Sequence, residues 1–347
     1  MPRTEGLVVG VVGATGMVGR ELVALLERRR FPVGELRPFS SGRAKSSVVF
    51  RGRRVNAPGV DAKVLASCDV VFLVSSDEVS LKYGPALAKA GVWVIDDSAA
   101  FRMDPKVPLV IAEVNASALR KDRRLIAGPN CTMTGLAVAA AALHRAARVK
   151  EARIASYQAV SGAGKAALNE FFGQAGRRLS LHADGRAPVL SEPKSKALPR
   201  AIATNVVPQV GRFDPLGHSG EEKKVAAELR KVWNAPALKV SVTAVRVPTV
   251  RGHALAAWLT LGKALSPAKA KALMKRTPGL VLSEDGDYPT PLSAAGKGPV
   301  YAGRVRPGAT ARELALWVVS DNLLKGAALN SVQVAEELVS RRWLKRR

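Results

Sequence analysis

Cys131 is the residue whose surroundings in the chain most clearly suggest covalent chemistry. It follows an apolar run, 125–127, and the turn Gly128-Pro129-Asn130, and a small apolar segment, 135–141, comes after it. This order predicts a strand, a tight turn and a helix. Near the amino end of a helix, unpaired N–H groups and the helix dipole stabilise an anion, so we expect a lowered thiol pKa and a nucleophilic thiolate. The alternative is a small buried hydrophobic side chain, the usual role of a free cysteine.

Other segments hold side chains that could act as acids, bases or anion ligands. His253 follows a glycine in a short segment between two predicted strands, where it is either an acid and base near neutral pH or a structural histidine. Arg102 follows the predicted strand 91–98 and either binds an anionic substrate group or forms a surface ion pair. Glu221 and Lys224 share a face of a predicted helix, although most such i, i+3 pairs are solvated.

A glycine-rich turn follows the first predicted strand, Leu7 to Val12, and precedes a predicted helix. Strand, glycine turn and helix form the setting of a dinucleotide site, in which backbone N–H groups approach a pyrophosphate. The spacing Gly10-x-x-Gly13-x-x-Gly16-x-x-Gly19 departs from the commonest fingerprint, and a tight turn without a ligand is the alternative. The cofactor-binding residues predicted in this turn are Gly13, Thr15, Gly16, Met17 and Val18.

The second predicted strand ends where the adenosine ribose of a cofactor would lie. NAD enzymes usually place Asp or Glu there to hold the ribose 2′-OH, whereas this chain has Ser40, Ser41 and Arg43. Hydroxyls and a guanidinium would bind a 2′-phosphate that a carboxylate would repel, so we predict NADP (NADPH) as the cofactor. An ordinary polar turn is the alternative. Ser75, at the end of the predicted strand 69–76, should also reach the cofactor.

Strands alternate with helices through the first part of the chain, which predicts the α/β class with a Rossmann-type doubly wound parallel sheet. From about Lys150 the strands become longer and are joined by loops, which predicts an α+β domain whose sheet packs one face on helices. We place the NADP-binding domain at 1–132, completed by a C-terminal helix at 323–347, and the catalytic domain at 133–322. Residues 173–200 are predicted to form a surface excursion.

The composition limits the classes of protein to be considered. The chain has 347 residues, 47% of them hydrophobic, enough for sizeable cores in two domains. No apolar stretch has the length of a membrane span and no signal-peptide core follows the N-terminus, so we expect a cytoplasmic protein. Two cysteines without metal-ligand spacing predict no metal site. The net charge of +26 is spread along the chain in short groups, which favours a basic surface over a nucleic-acid partner.

Together these segments resemble the bacterial aspartate-semialdehyde dehydrogenase family. They occur in that family's order and cover nearly the whole chain, and the combination is far more specific than any one member. The segments that carry the resemblance are Gly13-Ala14-Thr15-Gly16, Ser40-Ser41-Gly42-Arg43, Ala100-Phe101-Arg102, Pro129-Asn130-Cys131-Thr132, 157–164 beginning Tyr157-Gln158, Glu221-Glu222-x-Lys224, Val245-Arg246-Val247-Pro248 with Gly252-His253, and 317–328 around Asp321-Asn322.

The resemblance implies NADPH-dependent conversion of aspartyl-β-phosphate to aspartate β-semialdehyde and phosphate, a step toward lysine, methionine and threonine. By this similarity Cys131 is the nucleophile that forms a thioester, Gln158 orients the acyl group, and His253 is the acid and base. The substrate ligands that it implies are Arg246 for the α-carboxylate, Glu221 for the α-amino group, and Arg102, Asn130 and Lys224 for phosphate. It also implies cofactor contacts at Ser161, Gly162 and Asn322, and a homodimer or dimer of dimers formed through the second domain.

Some positions depart from the family pattern, and two other functions remain alternatives. The family commonly has a serine and an acidic residue after the histidine, where this chain has Ala254-Leu255, and segment 74–77 also differs. The sister enzyme N-acetyl-glutamyl-phosphate reductase usually has its cysteine between Gly and Tyr, so Asn130-Cys131-Thr132 argues against it. The other alternative is an inactive paralogue or polyanion-binding protein on the same fold, which the joint presence of the predicted catalytic residues disfavours.

Overall fold

The structure is a computed structural model that describes residues 6–43, 45–176 and 191–347. Residues 177–190 of the predicted excursion lie outside the described residues. Within the described ranges, the chain forms a five-stranded sheet, a six-stranded sheet and a two-stranded hairpin.

The first part of the chain builds the five-stranded sheet and the hairpin. Its strands are β1 (Leu7–Val12), β2 (Val33–Phe39), β3 (Ser47–Phe50), β4 (Arg53–Asn56), β5 (Val70–Leu73), β6 (Trp93–Asp96) and β7 (Leu125–Ala127). Its helices are α1 (Met17–Arg28), α2 (Ala62–Ala66), α3 (Asp77–Lys89) and α4 (Ala112–Asn115), followed by a 3-10 turn, Ala116–Ala118. The sheet is parallel in the order β2-β1-β5-β6-β7, and β3 pairs with β4 to form the hairpin. The strand order reverses between β1 and β5, the place where doubly wound sheets bind ligands.

The rest of the chain builds the six-stranded sheet, the helices around it and a last helix that packs on the five-stranded sheet. Its strands are β8 (Val149–Gln158), β9 (Lys239–Arg246), β10 (His253–Leu261), β11 (Leu280–Leu282), β12 (Val300–Pro307) and β13 (Glu313–Ser320), in the mixed order β11-β12-β13-β10-β8-β9. The helices are α5 (Cys131–Ala139), α6 (Ala141–Ala147), α7 (Lys165–Ala175), α8 (Gly220–Val232), α9 (Pro267–Met274), α10 (Pro291–Ala294) and α11 (Leu329–Ser340). A 3-10 turn, Val160–Ala163, follows β8, and a π-helical turn, Leu324–Ala328, precedes α11.

Both faces of the five-stranded sheet are buried, as is usual for a doubly wound sheet. Side chains along β1 alternate between the two faces. Val9 and Val11 pack in one core with residues of α1 and α11, whereas Val12 packs in the other core with residues of α2 and α3. The last helix of the chain therefore completes the core of the first sheet.

The six-stranded sheet buries one face against α5, α6, α8 and α9. Along β10, Leu255 and Leu259 point into this core, while Ala256 and Trp258 face the other side and are partly exposed. We call that side the outer face. On it, Tyr157 of β8 is 38% exposed. This sheet is what positions the ends of β8, β9 and β10, on which the predicted catalytic side chains lie.

The predicted α/β class, with a Rossmann-type sheet followed by a mixed-sheet domain, is confirmed. Three local details differ from expectation. The last helix ends at Ser340 and not at residue 347. His253 is the first residue of β10, paired with Ser320 of β13, rather than a residue between strands. The C-terminal helix is interrupted at its start by the π-helical turn, where Lys325 is buried and bonded to Gln333 at 2.8 Å. The domain division at residue 132 stays a prediction.

Two kinds of structural feature are absent from the described ranges. None of the helices there is long and apolar enough to cross a membrane. Nor do those ranges contain a group of three or more His, Cys, Asp or Glu side chains arranged to bind a metal ion.

Candidate active site

Cys131 is the first residue of α5, which begins directly after the turn that follows β7. Asn130 caps this helix, because its Oδ1 accepts hydrogen bonds from the backbone N–H groups of Thr132 (2.8 Å) and Met133 (3.2 Å). Such a cap fixes the residue at which a helix begins. On the other side lies Gly326 of the π-helical turn, where a Cβ atom would be only 2.7 Å from Cβ of Cys131. The cysteine is therefore held between the cap and the C-terminal segment.

His253 faces the thiol. Sγ of Cys131 lies 3.5 Å from Nε2 of His253, and the backbone N–H of Ala159 donates to Nδ1 at 3.0 Å. Because Nδ1 accepts this hydrogen bond, the neutral imidazole carries its proton on Nε2. The geometry thus places an N–H donor directly against the sulfur.

The pKa values of this pair are displaced in opposite directions. Cys131 is partly exposed, yet burial of its thiol, together with the carboxylate of Glu221, raises the thiol pKa to about 11. Burial and the guanidinium of Arg246 lower the pKa of His253 to about 3. The expectation of a lowered Cys131 pKa is therefore wrong, because the cost of desolvating an anion outweighs the guanidinium groups of Arg102 and Arg246.

One carboxylate connects three neighbours of the thiol. Glu221 is buried in the first turn of α8, and its Oε1 accepts hydrogen bonds from Asn130 Nδ2 (3.0 Å), Thr132 Oγ1 (2.8 Å) and Gln158 Nε2 (3.1 Å). The amide oxygen of Gln158 accepts a hydrogen bond from Ser156 Oγ at 2.9 Å. Both ends of the Gln158 amide are therefore fixed by the protein.

Arg102 carries a buried positive charge. It is 8% exposed and donates through Nη1 to Glu228 (3.1 Å) and through Nη2 to the carbonyl oxygen of Asp97 (2.7 Å). The alternative of a surface ion pair does not apply, because Glu228 is buried as well.

Arg246 is the last residue of β9 and is also buried, at 5% exposed. Its Nη1 donates to the carbonyl oxygen of Ala159 at 2.8 Å. Within the described part of the chain, the buried Nε atoms of Arg246 and Arg102 have no hydrogen-bond acceptor. Lys224 is exposed and lies one turn of α8 beyond Glu221. The side chains of Arg102, Arg246 and Lys224 therefore make the environment of the thiol polar and positively charged.

Two cavities meet at Cys131. The polar cavity, of about 230 Å³, contains all the predicted catalytic and substrate-binding residues and is lined by Asp77, Ala99, Arg102, Asn130, Cys131, Gln158, Gly162, Val210, Glu221, Lys224, Arg246 and His253. The glycine-turn cavity, of about 300 Å³, is lined by Gly16, Met17, Val18, Val74, Ser75, Asp97, Arg102, Cys131, Ser161, Gly162, Gly164, Asn322, Leu323, Gly326 and Ala327. The residues shared by both are Arg102, Cys131 and Gly162.

The glycine turn is shaped by residues that do not line the cavity. The backbone of Gly13 is left-handed (φ +85°), and a Cβ there would lie 2.4 Å from the carbonyl oxygen of Val74, so only glycine fits. Thr15 lies in the same turn, whose last residue, Gly16, is the N-cap of α1. The cavity therefore opens on the amino end of α1.

Asn322 lines the glycine-turn cavity and connects the 3-10 turn at Ser161 with the segment that precedes β10. Its Oδ1 accepts from the backbone N–H of Gly252 at 2.9 Å, and its Nδ2 donates to Ser161 Oγ at 3.0 Å. Since Gly252 precedes His253, these bonds help to fix the imidazole.

The residues predicted to bind a 2′-phosphate lie apart from these two cavities. Ser40 is buried and donates its hydroxyl to the carbonyl oxygen of Ala57 at 2.7 Å, while Ser41 and Arg43 are exposed. Beside them is the hairpin cavity, of about 580 Å³, lined by Gly42, Lys45, Ser46, Ser47, Arg54, Asn56, Ala57, Pro58 and Gly59. It adds two cations, Lys45 and Arg54, that sequence reasoning missed.

Three other groups around the site were not predicted from the sequence. The backbone N–H of Ala159 left no trace in the sequence. Asp97 lines the glycine-turn cavity and accepts a hydrogen bond from Ser331 Oγ at 2.5 Å, and burial raises its pKa to about 6. Its position near the carboxyl end of the predicted strand 91–98 could have indicated it. Glu228 lies seven residues after Glu221 on α8, a spacing that places both on one helix face.

A Rossmann-type sheet, a mixed six-stranded sheet and a cysteine–histidine pair at their junction define a two-domain dehydrogenase. Two family models agree: residues 8–122 match "Semialdehyde dehydrogenase, NAD binding domain" and residues 140–325 match "Semialdehyde dehydrogenase, dimerisation domain".

Individual relatives narrow the class. Aspartate-semialdehyde dehydrogenase of Shewanella violacea is 40% identical over 341 residues, which cover 95% of this chain and 97% of the relative. The crystal structure of aspartate semialdehyde dehydrogenase II from Vibrio cholerae has a TM-score of 0.90 at 35% identity and covers 97% of this chain and 99% of its own. The Vibrio cholerae enzyme has also been solved in complex with ASA, with a TM-score of 0.90, 34% identity and the same coverage. The chain belongs to the aspartate-semialdehyde dehydrogenase family.

Proposed function

We propose that this chain is an NADP-dependent aspartate-semialdehyde dehydrogenase. It converts aspartyl-β-phosphate and NADPH to aspartate β-semialdehyde, phosphate and NADP⁺, toward lysine, methionine and threonine. The observation that carries the proposal is the pairing of Cys131 Sγ with His253 Nε2, 3.5 Å apart, where the polar and glycine-turn cavities meet. Membership of the family supports it.

The glycine-turn cavity suits a nicotinamide dinucleotide. Backbone N–H groups at the amino end of α1 favour a pyrophosphate, and Gly13 lets the turn that leads to this helix pack closely against the carbonyl oxygen of Val74. Asn322 would hold the nicotinamide amide, because its Nδ2 keeps one hydrogen beyond the one donated to Ser161. When bound, the cofactor exchanges a hydride with the substrate carbon attached to sulfur.

The polar cavity has the charges that aspartyl phosphate and the semialdehyde require. Arg246 offers a buried Nε–H and a planar fork to the α-carboxylate. The three donors bound by Glu221 all use Oε1, which leaves Oε2 for the α-ammonium group. Arg102 and Lys224, with the amide of Asn130, would bind phosphate.

Cys131 would carry the acyl group. In the phosphate-consuming direction its thiolate adds to the aldehyde carbon, and the Nε2–H of His253 is placed to donate to the sulfur or to the adjacent oxygen. After oxidation Cys131 holds a thioester, whose carbonyl Gln158 would orient. Phosphate, held by Arg102, then attacks the thioester carbon, the C–S bond breaks, and the thiolate leaves.

NADP is proposed over NAD on the chemistry of the hairpin cavity. Beside Ser41 and Arg43, this cavity presents Lys45 and Arg54, and its described lining residues include no carboxylate. Cations without a carboxylate favour a 2′-phosphate over a free 2′-hydroxyl.

We also propose a homodimer formed through the outer face of the six-stranded sheet. The matched dimerisation-domain model spans 140–325, which includes that sheet. Tyr157 is 38% exposed on this face and lies beside Trp317, with ring centroids 5.5 Å apart.

The function is tested by following nicotinamide absorbance while aspartate β-semialdehyde and NADP⁺ are mixed with the protein, with and without phosphate. We expect phosphate-dependent reduction of NADP⁺ by the wild type and a loss of at least about 10³-fold in Cys131→Ser. N-acetylglutamate semialdehyde is the control substrate and should not react. A folded wild type that is inactive, or equal rates with both aldehydes, would refute the assignment.

A further inference from the structure

Glu228 is a fully buried carboxylate, 1% exposed, to which the proposed reaction assigns no role. Its Oε1 accepts a hydrogen bond from Arg102 Nη1 at 3.1 Å, and its Oε2 accepts one from the backbone N–H of Asn130 at 2.6 Å. Each oxygen faces an N–H donor, which is the arrangement that suits an ionised carboxylate, although burial raises the pKa of Glu228 above its ordinary value.

The two partners of Glu228 belong to different elements. Arg102 follows β6, whereas Asn130 is the N-cap of α5 and directly precedes the nucleophile. Glu228 itself comes from α8. One carboxylate therefore sets the position of a cationic side chain relative to the turn that carries Cys131.

Glu228 does not line either cavity at the thiol, although both of its partners line the polar cavity. It can therefore influence a ligand only through those partners. Among the residues that the structure describes, the other hydrogen bond of the Arg102 guanidinium is from Nη2 to the carbonyl oxygen of Asp97, so loss of Glu228 would leave the guanidinium held on one side.

We propose that Glu228 is a positioning residue for the phosphate step. Its carboxylate holds the guanidinium of Arg102 at a fixed position relative to Cys131. This inference rests on the proposed function and deepens it. Glu228→Gln keeps the size of the side chain but removes the charge and points an NH₂ group at one of the two donors. We expect the KM for phosphate to rise roughly tenfold and the KM for the semialdehyde to change less than about twofold.

Glu313→Gln is a matched control. Glu313 is also a buried glutamate, 4% exposed, that pairs with an arginine, Arg153, and accepts a backbone N–H, that of Ala309 at 3.0 Å. It lines neither cavity at the thiol, so its variant should lose stability without a change in the KM for phosphate. An unchanged phosphate KM in Glu228→Gln, or an equal rise in both variants, would overturn the proposal.

A double variant tests whether Glu228 acts through Arg102. In Arg102→Gln the guanidinium is already absent, so adding Glu228→Gln should change phosphate kinetics by no more than about twofold. The double variant leaves neither charge buried without its partner. It can therefore still be measured if the single variant Glu228→Gln does not fold. A further large loss in the double variant would contradict the inference. A wild type without phosphate-dependent activity would refute the proposed function and the inference with it, whereas an active wild type with an unaltered Glu228→Gln refutes the inference alone.

Discussion

Where the polar and glycine-turn cavities meet, the thiol of Cys131 faces the imidazole of His253. The pKa of the thiol is raised and that of the imidazole is lowered, and burial is the largest cause of both shifts. At neutral pH the ring of His253 is uncharged and carries its proton on Nε2. To accept the thiol proton there, it would have to move its own proton to Nδ1, where the N–H of Ala159 already points. The amount of thiolate should therefore follow the pH of the solution, and His253 should act mainly as a hydrogen-bond donor.

The raised thiol pKa predicts how alkylation of Cys131 depends on pH. With a thiol pKa of about 11, the rate with iodoacetamide should rise about tenfold per pH unit between about pH 7 and pH 10, since only the thiolate reacts. Mass spectrometry of the labelled protein measures the rate. Cys131→Ser is the control, because Cys68 is fully buried and should not react. A plateau at or below about pH 8 would show that the thiol pKa is lowered instead.

Glu221→Gln should change reactivity and turnover in opposite directions. The Glu221 carboxylate is the second cause of the raised Cys131 pKa, so its neutral isostere should make alkylation several-fold faster at fixed pH. The same variant loses the proposed partner of the α-ammonium group, and we expect oxidation of the semialdehyde to fall about 100-fold. Alkylation and steady-state rates are measured on one preparation, with Glu337→Gln as control, because Glu337 is a partly exposed residue of α11 that pairs with Arg341 and lines neither cavity at the thiol. Slower alkylation would contradict the assigned sign.

Among the elements, the segment between β2 and β3 is the one to which we assign cofactor preference. Ser41→Ala with Arg43→Ala should raise the KM for NADPH about tenfold and that for NADH less than about twofold, because only NADPH carries the 2′-phosphate. Arg53→Ala is the control, since Arg53 is exposed on β4 and does not line the hairpin cavity. Equal effects on the two cofactors would rule out a 2′-phosphate site here.

The elements themselves could be predicted because their signals are local. The apolar run before the turn at Asn130 and the small residues after it predicted β7, the turn and α5, and the glycine spacing after β1 predicted the turn at Gly13. The capping role of Asn130 was not predicted. The site residues on these elements converge since the ends of parallel strands meet at one edge of a sheet.

What the sequence could not reveal depends on contacts between distant residues. Glu228 lies 98 residues from Asn130 along the chain, and its bonds appear only when α8 packs beside α5. The predicted direction of the Cys131 pKa shift was wrong for the same reason. A helix terminus is visible in the sequence, but the desolvation that raises the thiol pKa comes from protein packed around the thiol.

Across the whole molecule, the two sheets differ in how their faces are covered. The five-stranded sheet is buried on both faces. On the outer face of the six-stranded sheet, by contrast, Tyr157 is 38% exposed beside Trp317, and Trp258 on the same face is also partly exposed. Aromatic side chains grouped on an exposed sheet face are typical of a protein interface. Because alternate residues of β8 face opposite sides, Tyr157 on the outer face is followed directly by Gln158 in the polar cavity.

Tyr157→Asp should therefore convert a dimer to a monomer. A carboxylate in place of the ring would be buried without a partner when two copies associate. The free-energy cost of burying that charge is larger than the free energy of association of an ordinary interface readily offsets. Light scattering after size exclusion measures the mass, and Phe172→Asp is the control because Phe172 is 54% exposed on α7, outside the six-stranded sheet. A Tyr157→Asp variant that remains dimeric would place the interface elsewhere. If the monomer forms, a lower turnover would indicate that the packed outer face also holds Gln158 in position, one residue along β8.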